Sequence, residues 1–125
     1  MSLVNLTPHP IRVHRNETPD VVQDPMEGLL FQVEPADKPA RLAMIDLGQD
    51  RTVVDEYGSG YSTYVEWIQF GQCHDLPQPE TGTTFIVSLV VALACPGRTD
   101  LVFPLAEVRN PAGTVVGCRG FGRVC

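Results

Sequence analysis

Few side chains in this sequence can do chemistry, and arginine dominates them. Lys38 is the sole lysine, and Arg98, Arg109, Arg119 and Arg123 crowd the C-terminal stretch. A guanidinium presents a planar fork of donors suited to carboxylate or phosphate, although GC-rich coding produces the same bias. The corner Pro96-Gly97-Arg98-Thr99-Asp100 sets a cation and an anion on one turn. It reads either as an exposed, weak ion pair or as one wall of a ligand pocket. In the second reading Arg98 and Asp100 are joined by Arg109 and Arg119 from a following hairpin. The kink Thr7-Pro8-His9-Pro10 offers Thr7 and His9. They either satisfy backbone groups at a strand break or line the same pocket's edge. The predicted ligand-binding set is therefore Arg98, Asp100, Arg109, Arg119, Thr7 and His9, with Tyr57, Tyr61 or Trp67 to stack a base.

Other chemistries do not assemble from local spacing. His9 and His14 flank Pro10 and share no fixed face, and Cys73 and His74 are adjacent rather than spaced, so no zinc pattern arises. Cys73-His74-Asp75 suggests a nucleophile with its base, but neighbours on an extended chain point to opposite faces. Ser88 lacks a GxSxG elbow. Gly117–Gly122 (GCRGFG) is glycine-rich but leads to the C-terminus instead of a helix, so it lacks the anion-binding N-terminus of a phosphate loop. No catalytic residue, metal or cofactor is expected, and the chain reads as a non-enzyme.

The elements that must position these residues are short. The 125 residues suit one domain, 1–125, and eleven prolines with eleven glycines favour many brief segments. A net charge of −6 opposes duplex nucleic-acid binding through the global field. MSLVNLTPHP has neither the basic start nor the apolar core of a secretory leader. The longest apolar run, Phe85–Cys95, is about half a bilayer span. An intracellular protein without a membrane partner is expected.

Strands are predicted near 2–6, 10–14, 28–34, 40–46, 50–56 and 64–70. The 40–46 strand should turn Leu42, Met44 or their neighbours inward. Residues 14–28 form a surface loop, and Gly58–Ser62 forms the most mobile turn. Residues 75–81, rich in proline, form a connector. The block from Gly82 to Phe121 should organise the core. It holds a strand from Thr83 to Ser88, then Leu89–Ala94, which strand and helix suit equally. Short strands follow at 101–103, 106–109 and 114–118. Asn110-Pro111-Ala112-Gly113 closes the last two into an antiparallel hairpin with Gly113 at positive φ. Cys95 and Cys118 read as buried thiols. The predicted class is mainly β: six to eight short strands in an antiparallel sandwich or barrel, with at most one short helix.

Four phrases carry a family likeness: NLTPHPI at 5–11, LPQPETGTTFIVSLVVA at 76–92, RTDLVFP at 98–104 and VRNPAGTVVGCRGF at 108–121. Together they resemble a group of small tailed-phage and prophage proteins. Those open with NLTPH, continue with an LPxPxxGxxYIVS-like segment and close with an RxDLxxP…GxxxGC segment. Phe85 stands where that group has tyrosine, Asn110 where it has an acidic residue, and residues 14–65 add nothing to the likeness. The resemblance implies a phage accessory protein in the cytoplasm of its bacterial host. By analogy of size and setting alone, it suggests a homo-oligomer that sequesters a phosphate-bearing, nucleotide-like immune signal. The alternative expectation is a structural or assembly protein whose apolar strands pair with a partner protein.

Overall fold

The computed structural model of the chain describes residues 2–53 and 62–125, and the side chains of 2–49 and 65–125. The predicted turn at Gly58–Ser62, the end of the predicted 50–56 strand, Tyr57 and Tyr61 lie wholly or largely outside them. The fold is mainly β with one short helix. Its strands are β1 (Ser2–Asn5), β2 (Ile11–His14), β3 (Leu29–Val33), β4 (Arg41–Val53), β5 (Ser62–His74), β6 (Thr83–Ile86), β7 (Leu101–Arg109) and β8 (Val115–Gly122), with helix α1 (Leu89–Ala94) between β6 and β7.

Six strands form one sheet in the order β1-β6-β7-β8-β2-β3. The sheet is mixed: β1–β6, β6–β7 and β2–β8 run parallel, while β7–β8 and β2–β3 run antiparallel. Its two ends nearly meet. Asn5 bridges Pro35, just past β3, and the amide of Ala36 donates to the Asn5 carbonyl at 2.8 Å. The result is a nearly closed, barrel-like sheet.

The parallel pairing settles the conformation of Leu89–Ala94. Phe85 and Ile86 lie beside Leu101 and Val102 in the same direction. The chain must therefore return between them, and parallel neighbours need a crossover. The return is helical, opened by Ser88, whose Oγ accepts from the Val91 amide at 3.4 Å. The helix buries Val91 and Ala92 against Leu6, Phe85, Val87 and Leu101, and Leu42, Cys73, Cys95 and Phe103 pack around them. The block expected to organise the core does supply most of it.

Three readings change in detail. The predicted 101–103 and 106–109 pieces are one strand, kinked at Ala106, which has a φ of 54°. Pro104, which has no amide to donate, and this left-handed residue interrupt the pattern without ending the strand. Met44 points outward, at 68% exposure, and Leu42 alone of that pair reaches the core. Cys118 is buried, but Cys95 is only half-buried.

His14 is fully buried, and its Nδ1–H donates to the Glu27 carbonyl at 2.9 Å. Gly117 makes room for it: a Cβ there would sit 2.3 Å from His14 Nε2.

Candidate functional site

The predicted cationic pocket does not form from its three arginines. Arg98 and Arg109 stand at opposite ends of β7, which runs from Leu101 to Arg109. Each guanidinium is engaged within the chain. Arg98 grips Asp100 through two nitrogens, at 2.8 Å each, and donates to the Pro77 carbonyl. Arg109 pairs with Glu107 and donates to the Gly113 carbonyl, bracing the turn expected at 110–113, where Gly113 has a φ of 86°. Arg119 pairs with Asp20 and donates to the Thr18 carbonyl. Arg109 and Arg119 thus both hold the 18–22 segment or its neighbour strand, and Arg98 fastens the 75–81 connector.

The Arg98–Asp100 pair is partly buried. The fork of hydrogen bonds from Arg98 holds the Asp100 carboxyl below the usual carboxylate range, and reciprocally raises Arg98. A carboxyl depressed in the folded state adds stability above its ordinary pKa of about 4, and that stability is lost as pH falls through the lower folded value. Acid titration of unfolding free energy should therefore lose part of its slope below about pH 4 in Arg98→Ala. That variant should also cost about 2 kcal/mol at neutral pH, since hydrogen bonds to charged groups carry that order of energy. An unchanged acid limb would refute this role.

Thr7 and His9 have separate positions. Thr7 Oγ1 donates to Asn5 Oδ1 at 2.6 Å, and the Thr7 amide donates to the same oxygen at 2.9 Å. Asn5 Nδ2 in turn donates to the carbonyls of His9 and Val33, at 2.7 and 3.0 Å. Asn5 is 1% exposed, so one buried amide ties the kink to β1 and β3 at the barrel seam. The kink's structural reading describes Thr7 well. Sequence reasoning passed over Asn5, although a buried amide needs its donors and acceptors matched.

His9 lies instead at a groove of about 790 Å³. Ile11, Leu89, Phe103, Leu105 and Val115 give it apolar walls, with Arg12 and Glu107 as its charged lining. Arg12 donates from Nε to Gln32 Oε1 at 3.1 Å. The groove follows from the barrel's curvature and from the kink at Ala106, which also lines it.

The second candidate is a feature sequence reasoning missed. β4 and β5 form a separate two-stranded antiparallel ribbon of thirteen-residue strands, about 40 Å long at the usual rise per residue. Its root joins the core through Leu42 and Cys73. Beyond the root, Met44, Ile45, Leu47, Val65, Trp67, Ile68 and Phe70 are all exposed, Trp67 by 59%. The register pairs Met44 with Phe70 and Asp46 with Ile68, so Met44, Ile68 and Phe70 share one face. Ile45, Val65 and Trp67 occupy the other. Among the described residues no third strand pairs with this ribbon. The signal was present in the sequence. The consecutive apolar pairs Met44-Ile45 and Trp67-Ile68 put apolar groups on both faces of a strand, where a half-buried strand alternates.

Among the described residues, no three His, Cys, Asp or Glu side chains gather as a metal site, and no helix is long and apolar enough to cross a membrane. Comparison of the chain with protein-family models, with curated proteins and with solved structures returned no match.

Proposed function

We propose that this chain is a non-enzymatic assembly protein of a tailed phage or prophage, working as a homo-oligomer joined through its β4–β5 ribbon. The carrying observation is the ribbon itself, with large apolar side chains exposed on both faces. An isolated two-stranded ribbon is marginal in water. Its unpaired edges are templates for further strands, and a contiguous apolar surface of this kind marks an interaction site. Leu89, Val90 and Leu93 extend that surface along α1, which packs beside the ribbon's root. One chain thus carries both a projecting apolar arm and an apolar groove to receive one, which suits closure between identical copies. Light scattering on the eluting protein tests this. A mass of two or more whole protomers of 13.7 kDa supports it, and a monomer at micromolar concentration overturns it.

A second reading keeps the nucleotide-like ligand but moves it. The groove falls within the volume range of small-molecule sites, and Arg12 supplies its positive charge, with His9 beside it on the lining. A phosphate-bearing ligand bound there should raise the melting temperature by mass action, and Arg12→Ala should abolish the rise. A panel of mono-, di- and cyclic nucleotides that leaves the melting curve unmoved would remove this reading.

A further inference from the structure

Cys73 and Cys95 come from different elements and meet at the ribbon's root. Cys73 lies in β5, paired with Leu42 of β4. Cys95 caps the C-terminus of α1, its amide donating to the Ala92 carbonyl at 3.3 Å. Their sulfurs are 3.2 Å apart, and both residues are half-buried, packed on the Leu6–Phe85–Val91 cluster. The other two thiols have no such neighbour: Cys118 is buried and points at the Arg12 carbonyl, and Cys125 is exposed at the last residue.

We propose that Cys73 and Cys95 form a dithiol redox site that a small-molecule disulfide of the glutathione class oxidises to an intrachain disulfide, fastening the ribbon's root to α1. The geometry demands little. The sulfurs must close from 3.2 Å to a bond of about 2.05 Å, a movement within reach of side-chain rotation. The step balances as two exchanges. Cys95, as thiolate, attacks one sulfur of the oxidant, forming a mixed disulfide and expelling one thiolate, which takes up a proton. Cys73 then gives its proton to solvent and attacks the Cys95 sulfur, expelling the second small thiol. Two protein thiols are oxidised and one small disulfide is reduced to two thiols.

The order of attack follows from the surroundings. Burial, and then the hydrogen bond with Cys95, push the Cys73 thiol up to about 11, so it stays protonated near neutrality and acts second. Cys73 and Cys95 are both only partly buried, which leaves a path for the oxidant, whereas Cys118, its thiol pushed up by burial, is shielded from it. The site goes beyond the assembly reading: it depends on the root's packing and not on what covers the arm.

The test uses the full chain with Cys125→Ser, which removes the exposed competing thiol. It is incubated with oxidised glutathione at mildly alkaline pH and followed by intact mass and peptide mapping. The expected product has lost two hydrogens, carries no glutathione, and yields a Cys73–Cys95 linked peptide. Its melting temperature should rise by roughly 10 °C, from closing a loop of some twenty residues. Adding Cys73→Ser should stop the reaction at the mixed disulfide, with one glutathione retained on Cys95. Unreacted thiols, a stable glutathione adduct in the presence of Cys73, or a link to Cys118 would each overturn the proposal.

Discussion

Replacing Met44 and Phe70 together by lysine is expected to convert the protein into a 13.7 kDa monomer, with the barrel still folded. The two residues face each other across the ribbon, so the substitutions place two ammonium groups at the centre of one apolar face. Fully burying a large apolar side chain yields about 1.5–3 kcal/mol. These side chains are already about half covered within the chain, so association can recover about 1 kcal/mol from each. Summed over both faces and both partners, that reaches about 10 kcal/mol, enough to offset the cost of association. Two desolvated, unpaired ammonium groups remove more than the two contacts they replace. The dissociation constant should therefore weaken at least 100-fold, roughly 2.7 kcal/mol. Because Met44 and Phe70 do not contribute to the buried core, the melting temperature of the barrel should move little. Sedimentation and a melting curve on one sample separate the outcomes. An oligomer that survives both lysines would show that this face is not the joint. Wild-type protein that is monomeric alone but recovered with one defined host or phage protein would transfer the arm to that partner.

The second large effect should come from a single amide. Asn5→Ala is expected to cost about 3 kcal/mol and lower the melting temperature by about 10 °C. The substitution removes two donated and two accepted hydrogen bonds at a residue that is 1% exposed. The Val33 carbonyl and the Thr7 amide then lose their Asn5 partner at the seam, and the His9 carbonyl keeps the Thr7 hydroxyl. Unpaired buried groups cost about 1–3 kcal/mol each, softened where water can enter. Asn5→Asp provides the sharper control. It keeps the shape and the acceptor for Thr7, but turns a carboxylate oxygen toward two carbonyls, so it should be no better tolerated than alanine. Chemical denaturation of both variants checks this. A loss below about 1 kcal/mol in either would mean that the seam is held by its backbone bonds alone.

These effects mark where sequence reading succeeded and where it could not reach. Composition, proline spacing and apolar alternation were enough for the mainly β class, most strand positions, the β7–β8 hairpin and the turn at Gly113. Those features are local: each depends on residues within one turn or one strand of one another. The same logic could not choose between Leu42, Met44 and their neighbours, because alternation identifies two faces without saying whether either is covered. It also left Leu89–Ala94 open, since an apolar hexapeptide suits strand and helix alike. The parallel pairing of β6 with β7 decided that question, and no residue inside the hexapeptide encodes it.

The chemistry-bearing residues divide in the same way. Sequence determined that Arg98 and Asp100 share a turn, and a two-residue separation does bring them together. It could not determine where Arg109 and Arg119 would point. Arg109 turns back on Glu107, two residues away on its own strand, while the fold sets Arg119 of β8 beside Asp20, whose carboxylate takes up its charge. Asn5 reads as an ordinary strand-end residue until the barrel closes on it, and His14 as a surface histidine until Gly117 makes room. Cys73 and Cys95 are twenty-two residues apart, and only the packing of the ribbon's root on α1 makes them neighbours. Local conformation is fixed by backbone sterics and by burial of one face, which the order of residues records directly. Contacts between distant elements are fixed by how those faces are shared, and that partition exists only once the chain has closed on itself.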